Sequence, residues 1–436
     1  MHQPTEIDLI LSGRYLVTMD EKRTVVENGA VAIDKGIIVA TGNREEMKSR
    51  FQAVQELAEP QGVIMPGLIN VHTHAAMACF RGLADDLPLM EWLQSHIFPA
   101  EANLTGETVY YSTCLSLCEM IKSGTTSFCD MYLFAEDVAR AVEGSGMRAW
   151  IGEALYDFPS PNYGELENGI AYTRDLLARY KEHDLINITV TPHAVYTCSP
   201  ELLMRLGQIA ADNAALYQIH LSETKDEVNT CMERYKVSPV RHLEQLQLLS
   251  ERVLAAHCVQ VTLEEIELLA EKGVKVAHCV ESNMKLASGI APVVDLLDAG
   301  VIVGIGTDGA ASNNDVDMFG EMNSVAKLHK VVRMDPTVMD ADRTLYAATR
   351  GGAAALGVAD HVGSLEPGKA ADCIVLDFSS PHLVPVYSPV SHLVYAARGS
   401  DVLHSVISGK VIMRDRQVLT LDENALVERV QTIIAG

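Results

Sequence analysis

The chain has 436 residues and a formal net charge of −24, and so acidic a surface excludes phosphate backbones and anionic membranes as partners, since both are bound through basic patches. Hydrophobic residues make up 48% and charged ones 21%, an ordinary globular composition, and the length suits two or three domains or one barrel with an appendage. Nine cysteines without a Cys-x-x-Cys pair, no basic leader before an apolar stretch and no bilayer-length apolar run lead us to expect a cytoplasmic protein with reduced thiols.

In chain order, short β-like runs at 7–11, 15–19, 30–33 and 36–40 come first, separated by turns. Runs of the same texture return at 372–376, 402–407 and 410–413. Strands of this kind need a second layer to cover them, and chain ends commonly lie close together. We therefore expect residues 1–61 and 371–436 to form one small β-sandwich domain.

Between them, residues 62–370 alternate strand and helix. An apolar run from Val63 leads through Pro66-Gly67 into Leu68-Ile69-Asn70-Val71 and ends in His72-Thr73-His74. Seven further candidate strands follow at 126–131, 149–155, 186–193, 215–220, 253–257, 274–278 and 301–308. Helical patterns separate them, for example 263–272, closed by Gly273. Eight such units predict an α/β fold with a (β/α)8 barrel of the TIM type, whose active site lies at the C-terminal ends of the strands.

Those ends carry the chemistry. On a strand, residues i and i+2 point to the same side, so His72 and His74 can aim both imidazoles at one point. Alone, a His-x-His is as well explained by two histidines capping a strand. His193, His220, His257, His278 and Asp308 also close apolar runs, and joint placement at one mouth points to a catalytic metal site with three or more ligands and an open position. Glu223, three residues after His220, could exchange protons with a bound water, and it also fits the acidic start of the next helix.

Other motifs fail on context. Gly304-Ile305-Gly306-Thr307-Asp308-Gly309 matches G-x-G-x-x-G, but it ends the strand–helix array instead of opening it. His242-Leu243-Glu244 is not followed by Pro-Cys-x-x-Cys. Cys114 and Cys118 sit one helical turn apart, as core residues do. His2, His96, His183, His329, His361, His382, His392 and His404 read as surface or structural histidines.

The chain resembles the amidohydrolase superfamily, and within it the 5'-methylthioadenosine/S-adenosylhomocysteine deaminases, close to the s-triazine chlorohydrolases. The likeness rests on Pro66 to His74, Arg81-Gly82, Pro192-His193, His220-Leu221-Ser222-Glu223, Ala256-His257-Cys258, the run from Gly306 to Asn314 and the run from Gly363 to Asp372. It implies one Zn2+ per subunit held by His72, His74, His220 and Asp308; Fe2+ or another divalent ion would suit the same donors. It also implies Glu223, His257 and Asp308 as catalytic residues, and substrate contacts from Glu101, His193, Glu223 and Asp308.

The implied partner is a small nucleoside, in a homo-oligomeric enzyme without nucleic-acid or membrane partners. The reaction is deamination to the inosine analogue and ammonia. Hydrolysis of guanine or a triazine is the alternative, and a non-catalytic barrel scaffold a remote one. One departure stands out: where relatives that use S-adenosylhomocysteine have an arginine after the third strand, this chain has Glu153, which would repel the substrate carboxylate. That favours methylthioadenosine or adenosine.

Overall fold

Strands from both chain ends join one nine-stranded sheet. The computed structural model describes residues 4–435; His2 lies outside them. Thr5–Val17 runs parallel to Phe51–Pro66 and antiparallel to Gly29–Asp34, while Cys373–Asp377 lies antiparallel on the other side of Phe51–Pro66. Val402–Ile407, Lys410–Arg414 and Gln417–Val418 extend the sheet from there.

Period-two patterning explains the layering. Leu9, Leu11, Val31 and Ile33 bury with Ile64, Val375 and Val406, whereas Ile10, Ala30 and Ala32 pack with Met47 on the other side. Met47 comes from the short helix Arg44–Arg50, whose first turn is capped by the side chain of Asn43.

Outside that sheet, strands pair in parallel, and helices connect them. Leu68–Thr73, Thr125–Tyr132, Arg148–Leu155 and Thr191–Pro192 form one sheet, with Ile186–Ile188 also on Arg148–Leu155. Tyr217–Leu221, Val253–His257, Lys275–His278 and Val303–Ile305 form a second. Parallel bridges Val190–Tyr217 and Ala194–His220 link the two. The expected strand 186–193 is broken in the middle because Val190 changes neighbours, donating its N–H to the Leu216 carbonyl at 2.9 Å.

Gly306 lets the last strand approach the first: a Cβ there would come within 2.8 Å of the backbone N and O of His72, and the Asp308 N–H donates to the His72 carbonyl at 3.0 Å. The helix Leu263–Glu271 begins with a capping box of Thr262 and Glu265, and Gly273 follows with φ +69, as its sequence pattern predicts.

Two compact units divide the chain. One runs up to Ile69 and adds Cys118–Ser127 and Asp317–Asp422; the other comprises Asn70–Leu117, Phe128–Val316 and the residues from Glu423 onward. Among the described residues no helix is long and apolar enough to cross a membrane.

Candidate active site

All the candidate residues belong to the second unit. His72 and His74 end the strand Leu68–Thr73, with both side chains turned inward. The Nδ1 of His74 hydrogen-bonds the carbonyl of Met131, and the Nδ1 of His220 lies 2.8 Å from the carbonyl of His193. A carbonyl only accepts, so each Nδ1 carries the proton and each Nε2 keeps its lone pair.

Those lone pairs converge. The Nε2 atoms of His74 and His220 are 3.3 Å apart, and Asp308 Oδ1 lies 3.1 Å from His74 Nε2 and 3.7 Å from His72 Nε2. The Nε2 of His72 is buried without a hydrogen-bond partner among the described residues. Bare nitrogens face to face in a buried site repel one another unless a cation lies between them, so the donor set fits a divalent metal ion. Ligand atoms of His72, His74 and His220 lie within 4.8 Å of one another, and so do those of His72, His257 and Asp308.

The electrostatics agree. Burial and neighbouring imidazoles hold His72 and His220 well below the ordinary histidine range. Burial also works against charge on His74, but the hydrogen bond and charge of Asp308 lift it to about 9, so a proton on its Nε2 takes the central place whenever no metal holds it. Burial would raise Asp308, yet His74 takes it well below the usual carboxylate range. Together the four groups stabilise one positive charge at their centre.

The other oxygen of Asp308 is held from behind. Oδ2 accepts hydrogen bonds from the hydroxyls of Ser282, at 2.6 Å, and Ser312, at 3.0 Å. His257 is oriented in a similar way, with Nδ1 2.8 Å from Asn283 Oδ1, which leaves its Nε2 3.8 Å from Glu223 Oε2. Ser222, His257 and Asp308 have φ of +52, +72 and +62. Such left-handed backbone is costly for these residue types and clusters at functional sites.

A cavity opens beside this group. Its polar wall holds His74, Glu101, His193, His220, Glu223, His257 and Asp308, and its apolar wall includes Leu89, Trp92, Phe98 and Tyr156. Among the described residues no lysine or arginine lines it. Burial pushes Glu101 up to about 7, with Tyr132 and His74 acting in the opposite direction. His193, which contacts the Thr197 hydroxyl at 3.0 Å, is taken down to about 3 by burial. Burial raises Glu223 as well. His278 is not part of the cavity wall.

Glu153 requires a correction. Its carboxylate accepts hydrogen bonds from the Ala135 N–H at 2.8 Å and from the Asn162 amide at 2.9 Å, and it does not line the cavity. It therefore cannot repel a substrate carboxylate, as its sequence position suggested. Sequence reasoning also missed Ser282, Asn283, Ser288 and Tyr132. Ser312, missed as a support of Asp308 as well, alone had a signal, since it lies in the run from Gly306 to Asn314.

An inward-facing His/Asp donor set at the ends of parallel strands marks a metal-dependent barrel hydrolase. Residues 63–412 match the Amidohydrolase family, and the chain belongs to that family. Within it the chain groups with the 5-methylthioadenosine/S-adenosylhomocysteine deaminases. The protein of that name from Syntrophobacter fumaroxidans is 55% identical over 98% of this chain and 97% of its own length, and one from Syntrophus aciditrophicus is 46% identical with the same coverage. Among solved structures, an adenosine deaminase from Xanthomonas campestris with bound zinc superposes with a TM-score of 0.97 at 39% identity, covering 99% of this chain and 98% of the other. A triazine hydrolase variant, at 24% identity and a TM-score of 0.91 over 98% and 99% of the two chains, is alike in fold.

Proposed function

We propose that the protein hydrolytically deaminates an adenine nucleoside, with 5'-methylthioadenosine the preferred substrate, releasing ammonia and the inosine analogue. One observation carries this reading: the Nε2 atoms of His74 and His220 and Asp308 Oδ1 converge with the unpartnered Nε2 of His72 at the wall of a cavity that also holds Glu223. The names of the full-length relatives support it.

His72, His74, His220 and Asp308 would hold one zinc ion per subunit. When bound, zinc acts as a Lewis acid that makes hydroxide available at neutral pH. Glu223, buried and raised in pKa, takes up a proton and delivers it to the purine N1, which makes C6 electrophilic. His257 steadies the attacking oxygen through Nε2. Asp308 accepts the remaining hydroxyl proton, and transfer of that proton to the C6 amino group lets it leave as ammonia. Glu101 accepts hydrogen bonds from the ribose hydroxyls, and His193 contacts the nucleoside.

The apolar wall supports the methylthio substrate. Leu89, Trp92, Phe98 and Tyr156 suit a thioether, whereas the carboxylate of S-adenosylhomocysteine would find no lysine or arginine in the cavity wall and lose its hydration.

The same reading takes residues 62–370 as a closed (β/α)8 barrel and residues 1–61 with 371–436 as a β-sandwich. The bridges between the two parallel sheets support closure, as does the hydrogen bond from Asp308 to His72. A cytoplasmic location is supported by the free cysteines, eight of the nine being buried. Exposed Val331 and Met334 support a homo-oligomer.

Ammonia release from methylthioadenosine, adenosine, S-adenosylhomocysteine, guanine and a chlorotriazine, offered side by side, tests the assignment. The expected order starts with methylthioadenosine. Turnover of guanine or the triazine alone would replace it with the other aromatic hydrolysis.

A further inference from the structure

Glu223 sits in a ring of hydrogen bonds that no step above uses. Its Oε1 accepts from the hydroxyl of Ser288 at 3.0 Å. The carbonyl of Ser288 accepts from the side-chain amide of Gln260 at 2.7 Å. The backbone N–H of Gln260 donates to the carbonyl of Ser222 at 2.7 Å, and Ser222 is the residue before Glu223, which closes the ring. The carboxylate of Glu227 accepts the N–H groups of both Ser222 and Glu223, at 2.9 and 2.7 Å, so the backbone of this turn is held as well as the side chain.

The ring is built at a cost in backbone freedom. Ser222 has φ +52 and Gly289, next to Ser288, has φ +126. A Cβ at position 289 would come within 2.8 Å of Gln260 Nε2 and 2.9 Å of Val259 Cγ1. Only glycine permits both the conformation and the approach of the Gln260 amide. Ser288 is itself 6% exposed, and its N–H donates to the carbonyl of Asn283, the residue whose side chain orients His257.

With Oε1 committed to Ser288, the second oxygen is the one that faces the reaction. Oε2 lies 3.8 Å from His257 Nε2. We propose that Ser288 is a positioning residue, which holds the Glu223 carboxyl so that Oε2 alone carries the proton moved during catalysis, with Gln260 fixing Ser288 in turn. This rests on the reading of Glu223 as the proton carrier.

Ser288→Ala tests it, with Ser288→Thr as the variant that keeps the hydroxyl. On the substrate identified by the panel above, Ser288→Ala should lower kcat on the order of tenfold or more, as misplacement of a catalytic group does, with KM within about twofold. Ser288→Thr should restore most of kcat. Crystal structures of the wild-type and Ala variant give a readout independent of turnover: the Glu223 carboxyl should sit on Ser288 in the first and swing or split into two conformers in the second. An unmoved carboxyl in the Ala variant overturns the proposal whether or not any nucleoside is deaminated. So does an unchanged kcat in an active enzyme. Inactivity of the wild-type protein on the whole panel instead refutes the deaminase reading, and the ring is then judged on the two structures.

Discussion

Among the described residues, two histidine–carboxylate groups have the spacing of a metal site, and one of them has the chemistry of one. In the unit that carries the chain-end sheet, His404 lies with Glu59 and Asp415, their ligand atoms within 4.8 Å of one another. His404 Nε2 is 3.0 Å from Glu59 Oε1, and its Nδ1 accepts the Asp415 N–H at 3.1 Å. Both ring nitrogens are satisfied by protein, and the Asp415 side chain is 73% exposed. In the other unit, the Nδ1 atoms of His74 and His220 are tied to backbone carbonyls, the Nε2 atoms are aimed at one point, and that of His72 has no partner. Residue type and spacing are shared by the two groups. What separates them is whether lone pairs are left over in a buried place.

Breaking the second group should therefore have the largest effect. His220→Ala is expected to lose both bound metal, measured by elemental analysis, and ammonia release to below detection. Glu223→Gln separates the ligands from the proton carrier: metal content should stay at wild-type level while kcat falls by roughly 10²–10⁴-fold. Retained turnover in that variant would remove Glu223 from the mechanism.

A smaller effect sharpens the role of the supporting shell. Ser282→Ala and Ser312→Ala each remove one hydroxyl from Asp308 Oδ2, and metal affinity, read by competition with a chromogenic chelator, should drop about 10–100-fold. The smallest functional effect belongs to the satisfied group. His404→Leu should leave metal content and kcat unchanged while costing about 1–3 kcal/mol in urea unfolding, because it leaves Glu59 and the Asp415 N–H without their partner. Loss of metal in His404→Leu would mean that the two groups are not different in kind.

Much of the parallel strand framework could be read in advance because several of its strands, such as Leu68–Thr73, Tyr217–Leu221 and Val253–His257, are uninterrupted buried runs. Positions 253–256 are apolar on both faces, as strands covered on both sides must be, and the observed Val253–His257 follows them closely. The break at Val190 was not readable, since it depends on a switch of hydrogen-bonding neighbour that leaves no local pattern. Glu101 had no signal beyond an acidic residue in a helix-forming stretch, and Glu153 gave a misleading one. Sequence position says where a carboxylate enters the fold, not which N–H groups lie within its reach.

The sequence by itself determined the order of strands and helices and the presence of histidines and an aspartate at strand ends, because both are local: periodicity acts over a few residues, and i, i+2 geometry follows from the pleat. Only the tertiary structure decided which nitrogen of each imidazole is free, which oxygen of Asp308 faces the histidines and which of Glu223 faces His257, and that Glu153 points elsewhere. Those outcomes depend on partners from Met131, His193, Ser282, Ser288 and Ala135, which lie 18 to 65 residues from the groups they orient. Hydrogen bonds of that separation are set by how the strands pack, and no pattern along the chain records them.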